Sequence, residues 1–210
     1  MGITPKKVLV ACEFSQVVTR AFRERGHEAY SCDILPTEGN PEWHIQDDVL
    51  KHLDDGWDLM IAHPPCTYLT VTGNKWFKPE YRDRFPTREQ QRQEAIYFFM
   101  RLKEAKIPKI AIENPIGVMS TVYRKPDQII QPYWFGDKKR KATCLWLKGL
   151  EPLTVTCMVE PIIVQYKTRR GTDDDWHINT MKLPPLQRMK ERSRTFPGIA
   201  NAMAEQWGGI

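Results

Sequence analysis

Trp57 to Cys66 reads WDLMIAHPPC, and Pro108 to Pro115 reads PKIAIENP. In each, a short apolar run stops abruptly at proline. A run of this length bounded by turn residues is the pattern of a strand buried on both faces. Proline lacks the amide a sheet ladder needs, so the strands are predicted to stop at Pro64-Pro65 and at Pro115. Upstream, Lys6 to Cys12, KKVLVAC, repeats the pattern, and His27 to Asp33, HEAYSCD, is a further strand ending on an acidic residue. Between these two, Val18, Ala21, Phe22 and Arg25 recur at helical spacing, with Ser15 as the expected N-cap and Gly26 as the stop. Thr87 to Ala105 is the clearest helix, its apolar face formed by Ala95, Phe98, Phe99 and Leu102. Strands alternating with helices predict a doubly wound, mostly parallel α/β sheet.

Beyond Pro115 the pattern loosens. A short helix is expected near Gly117 to Tyr123, and strands over Ala142 to Leu147 and Leu153 to Thr156, with antiparallel pairing an option. Residues 160–194 hold few apolar periodicities and predict a long, partly ordered loop or small subdomain. Pro197 to Trp207 reads as a closing helix with Ala200, Met203, Ala204 and Trp207 on one face. The whole chain, 1–210, is read as one domain.

Composition narrows the function classes. Of 210 residues, 41% are hydrophobic and 27% charged, which excludes a wholly disordered chain. Mean hydropathy is -0.53, and no apolar run approaches the ~20 residues of a membrane span. The opening MGITPKK passes directly into VLVAC, too short for a signal sequence, so a cytosolic protein is expected. The five cysteines, at 12, 32, 66, 144 and 157, form no CxxC and predict reduced thiols. His63 and Cys66 are separated by two prolines and have no second ligand pair, so no metal is expected. The net charge of +5 is unevenly placed, with clusters at Lys138-Lys139-Arg140-Lys141, at Arg169-Arg170, and at Arg188, Lys190, Arg192 and Arg194. Such clusters are either a solvated face or a contact for nucleic-acid phosphates.

Ligands of α/β sheets gather beyond the carboxyl ends of the strands. Those ends carry Cys12-Glu13-Phe14-Ser15, then Asp33, then His63-Pro64-Pro65-Cys66, then Glu113-Asn114-Pro115. Taken singly each is weak: a strand-end carboxylate is often a cap, and a cysteine often a small core residue. In this order they are specific. Pro64-Pro65-Cys66 followed by Glu113-Asn114 resembles the active-site pair of DNA cytosine-5 methyltransferases, in which a Pro-Pro-Cys loop supplies the nucleophile and a Glu-Asn-Val strand end the acid. The chain is also similar to the short cytosine methylase-like proteins of bacteriophages and prophages, over nearly its whole length.

The resemblance implies a Rossmann-like methyltransferase fold and S-adenosylmethionine as cofactor. It implies that Asp33 holds the cofactor ribose, that Asp48 lies near the adenine, and that Glu13, Phe14 and Pro64 line the cofactor site. Arg140-Lys141-Ala142-Thr143 is similar to the family's basic motif beside the target base. Gly198-Ile199-Ala200-Asn201-Ala202 is similar to its closing motif, which would add Asn201 to the cofactor site. Phe14 is equally readable as an adenine-stacking ring or a core aromatic. Trp43, Trp76, Tyr81 and Trp176 fall in predicted loops, as stacking partners for bases or as ordinary surface or core aromatics.

Those residue types suit the chemistry. A Cys66 thiolate adding to carbon 6 of cytosine activates carbon 5, and Glu113 holds N3 and the exocyclic amine. The thiolate asks for an electropositive setting, and the carboxyl for a pKa raised by burial. A base within a duplex must be flipped out first. Three departures stand out. Pro115 replaces the family's Val. The first turn, Cys12-Glu13-Phe14-Ser15-Gln16, has no glycine. Only residues 144–197 are available as a target-recognition region. The leading reading is a cytosine-C5 methyltransferase acting on DNA, duplex or single-stranded. The alternatives are a non-methylating pyrimidine-modifying enzyme, on DNA or a free nucleotide, and an inactive nucleic-acid or nucleotide binder.

Overall fold

The computed structural model describes residues 4–165 and 172–209. Arg169-Arg170 lies outside them. In chain order the elements are β1 (Lys7–Ala11), α1 (Val17–Arg23), β2 (Glu28–Cys32), β3 (His44–Ile45), β4 (Leu59–Ala62), α2 (Arg88–Glu104), β5 (Lys109–Pro115), α3 (Met119–Val122), β6 (Gln128–Ile130), β7 (Thr143–Lys148), β8 (Ile163–Gln165), β9 (Thr172–Asp174), α4 (Asp175–Met181), α5 (Pro185–Ser193) and α6 (Pro197–Gly208). Seven strands form one sheet in the order β3-β2-β1-β4-β5-β7-β6. The first five run parallel, and β7 is antiparallel to both β5 and β6. The protein is thus a doubly wound, mostly parallel α/β sheet.

Both faces of the sheet are covered, which is why its strands read as continuous apolar runs. Val8, Val10, Leu59 and Ile61 meet α1 and α6 on one face. Leu9, Met60, Ile110 and Ile112 meet Phe99 and Leu102 of α2 and Met119 of α3 on the other. The predicted apolar stripe of α2 is the buried one, and the four residues named for α6 are all buried.

Two local expectations are corrected and a third is narrowed. Ser15 does not cap α1. The buried Glu13 carboxylate does so, accepting from Val18 N at 2.7 Å, Thr19 N at 3.1 Å and Thr19 Oγ1 at 2.7 Å. Leu153 to Thr156 is not a strand, because side-chain amides take its backbone in place of a ladder. Gln128 bonds both Leu153 N and Leu153 O at 2.8 Å, and Gln206 bonds Thr154. Residues 160–194 contain a hairpin (β8–β9) and two helices where a loop or subdomain is expected.

Candidate active site

Strand order reverses between β1 and β4, and the candidate residues gather at the carboxyl ends around that switch point. Parallel pairing of β4 and β5 puts Ala62 opposite Ile112, so the next residues, His63 and Glu113, emerge side by side. His63 Nδ1 lies 2.9 Å from Glu113 Oε2. One residue further, Asn114 Nδ2 donates to Pro64 O at 2.8 Å, tying the Pro64-Pro65-Cys66 turn to β5. The turn is closed by Leu69 N and Thr70 N on Cys66 O, both at 3.0 Å. Gly117 secures the far side. A Cβ there would lie 2.1 Å from Leu69 O, and Val118 N donates to that oxygen at 2.8 Å.

The antiparallel β7 completes the site. Thr143 pairs with Pro115, so the basic segment before β7 arrives at the same rim. Lys141 is close enough to act on both Glu113 and Cys66, and its Nζ donates to Arg192 O at 3.0 Å. Arg140 is anchored through its backbone amide to Asp174 at 2.6 Å. Cys66, Glu113, Pro64 and Lys141 are therefore brought together, whereas Arg140 is tied by its backbone to Asp174.

Both protonation expectations are reversed. Burial by itself would raise the Glu113 carboxyl, but the hydrogen bond from His63, the Lys141 charge and the Thr143 hydroxyl hold it below the usual range. The Cys66 thiol is pushed up by the surrounding protein and by the Glu113 charge, against a smaller pull from Lys141. Because Cys66 is solvent-exposed, the neighbouring carboxylate is the more durable of the two causes. The other rim thiols are worse nucleophiles. Burial raises Cys12, Cys32 to about 12 and Cys144 to about 11.

The other half of the rim holds the candidate cofactor residues. Asp33 ends β2, half-buried, with Oδ1 accepting from Leu35 N at 2.9 Å. Burial raises its carboxyl despite that bond. Asp48 caps the turn after β3, accepting from Leu50 N at 3.0 Å, and acts electrostatically on Cys12 and Cys32. The glycine-free turn adopts left-handed backbone all the same, at Cys12 (φ 60°) and Gln16 (φ 58°). Gln16 holds that strain with its side chain, which bonds Asn40 N at 2.7 Å and Asn40 O at 2.8 Å.

Two candidates, Glu13 and Asn201, sit elsewhere than their expected roles, and Phe14 takes the buried position weighed for it. Glu13 is consumed as the α1 cap. Phe14 is buried, with Lys190 Nζ at 5.4 Å and Arg194 Cζ at 5.6 Å from its ring centroid. Asn201 is exposed on α6, and its side chain accepts from Arg25 beyond the far end of α1, so it does not join the rim.

No protein-family model matches the chain, and no curated protein matches it. Solved structures similar to it include the Schizosaccharomyces pombe Dnmt2 methyltransferase, 14% identical over 70% of this chain and 50% of that one, with a TM-score of 0.45. A putative DNA modification methyltransferase encoded within an Escherichia coli prophage is 14% identical over 75% and 52%, with a TM-score of 0.45. The Entamoeba histolytica methyltransferase EhMeth is 10% identical over 76% and 58%, with a TM-score of 0.44. The chain thus spans little more than half the length of these proteins. They bear on no residue of the site, whose own geometry carries the functional reading.

The basic clusters are largely engaged within the chain. Lys139 pairs with Asp175 at 2.6 Å, Lys190 and Arg194 both pair with Glu38, and Arg192 Nε donates to Thr180 at 2.9 Å. A cavity of about 350 Å³ opens at the opposite, amino edge of the sheet beside Lys6, Lys109 and Trp207, and contains no candidate residue. Among the described residues no helix is long and apolar enough to cross a membrane, and no cluster of His, Cys, Asp and Glu is arranged to hold a metal.

His63 is the site residue that sequence reasoning missed. It was named at the third strand end and as half of an unsupported metal pair, but given no role in the reaction. Its signal was positional: it stands at the end of β4 as Glu113 stands at the end of β5.

Proposed function

We propose that this protein is a methyltransferase that uses S-adenosylmethionine to modify carbon 5 of cytosine through a covalent adduct at Cys66. The observation that carries the reading is the convergence of Cys66, Glu113 and Lys141 at two adjacent strand ends, with Asn114 bonding one turn to the other. Sγ of Cys66 adds to carbon 6, and the proton lost by the thiol is balanced by one gained at N3, beside Glu113. With a methyl donor bound, carbon 5 would take the methyl group, its proton would pass to water, and as the C6–S bond breaks the N3 proton would return by way of Glu113 to Cys66. With Cys66 held as a thiol and Glu113 as a carboxylate, the thiol proton would pass to Glu113 as Sγ attacks and from it to N3. Lys141 supports the negative charge that develops as the proton moves.

The donor set at the β2 end fits the cofactor in part. The Asp33 carboxylate, with one oxygen committed to Leu35, suits ribose hydroxyls, and the left-handed turn permits close backbone approach. S-adenosylmethionine supplies an electrophilic methyl group when bound. Asp33 would hold the ribose, Asp48 would lie by the adenine and Pro64 would border the methyl donor. Neither the Glu13 carboxylate nor Asn201 enters this set. Residues 144–197 are proposed as a reduced target-recognition region.

A second reading, a pyrimidine-modifying enzyme with another donor, is favoured by one feature. Phe14 lies beneath Lys190 and Arg194, which Glu38 clamps in place. Transfer of a labelled methyl group from S-adenosylmethionine to cytosine-containing DNA tests the first reading. Label appearing in no pyrimidine, polymer or mononucleotide, contradicts it.

Two expected results bear on partners. Asp33→Ala should weaken S-adenosylmethionine binding in a calorimetric titration while the melting temperature changes little. A collapse in melting temperature at unchanged affinity would make Asp33 structural. For DNA, Lys138, Arg140 and Arg188 are the members of the described clusters whose side chains make neither an ion pair nor a hydrogen bond within the chain. About three phosphate contacts give a slope of log affinity on log salt near -3. A much steeper slope would mean that the Glu38 and Asp175 pairs open on binding.

A further inference from the structure

His63 has no part in the reaction as written above, yet its side chain is closely confined at the rim. Its backbone amide donates to Ala11 O at 2.9 Å, Pro64 and Pro65 follow it, and only 7% of its side chain is exposed. Nδ1 faces Glu113 Oε2 at 2.9 Å. Since that carboxyl is held ionised, it accepts, and Nδ1 carries the hydrogen. Nε2 is buried and meets no hydrogen-bond partner. A buried unpartnered ring nitrogen is a cost that folds seldom retain without use.

The groups facing the pair are few. Lys141 and Thr143 reach Glu113 from the start of β7, Cys144 interacts from β7 itself, and Cys66 from the turn after β4. Of these, Lys141 is the only cation. His63 holds one Glu113 oxygen at 2.9 Å, and the Thr143 hydroxyl, which donates to Lys141 O at 3.1 Å, also acts on the carboxylate.

We propose that His63 is the positioning residue for Glu113: it fixes one carboxylate oxygen from the end of β4 and leaves the other free to face the base. This rests on the proposed cytosine chemistry for its consequence, but not for its test. Nε2 is then the open position of the pair, available to a group brought by the substrate.

The experiment follows the carboxyl carbons of 13C-glutamate-labelled protein by NMR through a pH titration, with the Glu113 signal assigned by its absence in Glu113→Gln. In the unaltered protein Glu113 titrates below ordinary glutamates. In His63→Ala its midpoint rises by about one pH unit or more, a tenfold change in proton affinity. His63→Asn, whose amide takes the place of Nδ1, restores most of the shift. His63→Gln, whose amide takes the place of Nε2, does not. If His63→Ala fails to fold, the Asn and Gln variants carry the same comparison. An unchanged midpoint on removing His63, or no restoration by Asn, overturns the proposal.

The rate of covalent adduct formation on 5-fluorocytosine DNA is the second readout. It should fall about 10²-fold in His63→Ala, as expected for a displaced catalytic group, with its acid limb moving in step with the NMR midpoint. A limb that stays put overturns the role in catalysis. A protein that forms no adduct in its unaltered form but shows the NMR shifts contradicts the cytosine reading and leaves the His63–Glu113 pair standing.

Discussion

Cys66→Ser should abolish trapping on DNA containing 5-fluorocytosine, and Glu113→Gln should slow it by ~10² to 10⁴-fold, the usual range for an acid–base group. Fluorine at carbon 5 cannot leave as the proton does, so an enzyme that forms the C6–S bond and completes transfer stays attached to its substrate. The adduct survives denaturing electrophoresis, and mass spectrometry of the digested complex locates it. An adduct on Cys12, Cys32 or Cys144 is not expected, because those thiols are raised by burial and two of them are fully enclosed. Cys157 is exposed, but it lies against Gly136, away from the β4 and β5 ends.

The same pair of variants has a second, opposite readout. The Glu113 charge pushes the Cys66 thiol up, so Glu113→Gln should make Cys66 react faster with iodoacetamide near neutral pH. Faster alkylation with slower adduct formation is the signature of a carboxylate that opposes the free thiolate and assists the addition. Unchanged alkylation in Glu113→Gln would show that the two groups do not interact. Full activity in Cys66→Ser would end the mechanism.

The largest effect on stability is expected from Glu13→Ala. Its carboxylate is the buried cap of α1, and its loss leaves Val18 N, Thr19 N and Thr19 Oγ1 without an acceptor. A helix cap is worth ~1 kcal/mol, and each buried donor left unsatisfied costs roughly 1–3 kcal/mol. Partial relaxation keeps the sum near 3–5 kcal/mol, a large part of the 5–15 kcal/mol typical of a whole domain. For a chain of this size that lowers the melting temperature on the order of 10 °C. Glu13→Gln keeps one acceptor and should lose about half as much. Chemical denaturation followed by far-ultraviolet circular dichroism measures both. A loss under about 1 kcal/mol, together with weaker cofactor binding, would return Glu13 to the cofactor site that its position in the sequence suggests.

Glu13 shows what a strand-end carboxylate conceals in one dimension. At the end of β1 it reads equally as ligand and as cap, because both roles need an acceptor beyond the strand. Only the direction of the α1 amides decides between them. Asn201 shows a different limit. Its local motif is similar to a family signature, yet helical rotation puts it on the exposed side of α6 while Ile199, Ala200 and Met203 face the core. The basic residues of α5 were legible as charge but not as pairs, since Glu38 is more than 150 residues away along the chain.

Sequence by itself determined the parallel strands and where they end. Apolar runs of strand length, stopped by Pro64-Pro65 and followed at Pro115 by a second break, dictate buried parallel strands, and the candidate residues stand at their ends. Burial of repeating side chains is a local, periodic requirement, so it is written into local periodicity. Tertiary structure decided which groups share protons and charge. The register of β4 against β5 set His63 beside Glu113, and the reversed β7 brought Lys141 to them from 28 residues beyond Glu113. Electrostatic coupling depends on distance through space and on exclusion of water. Neither quantity is periodic along the chain, and so the protonation of the site emerged only when the strands were paired.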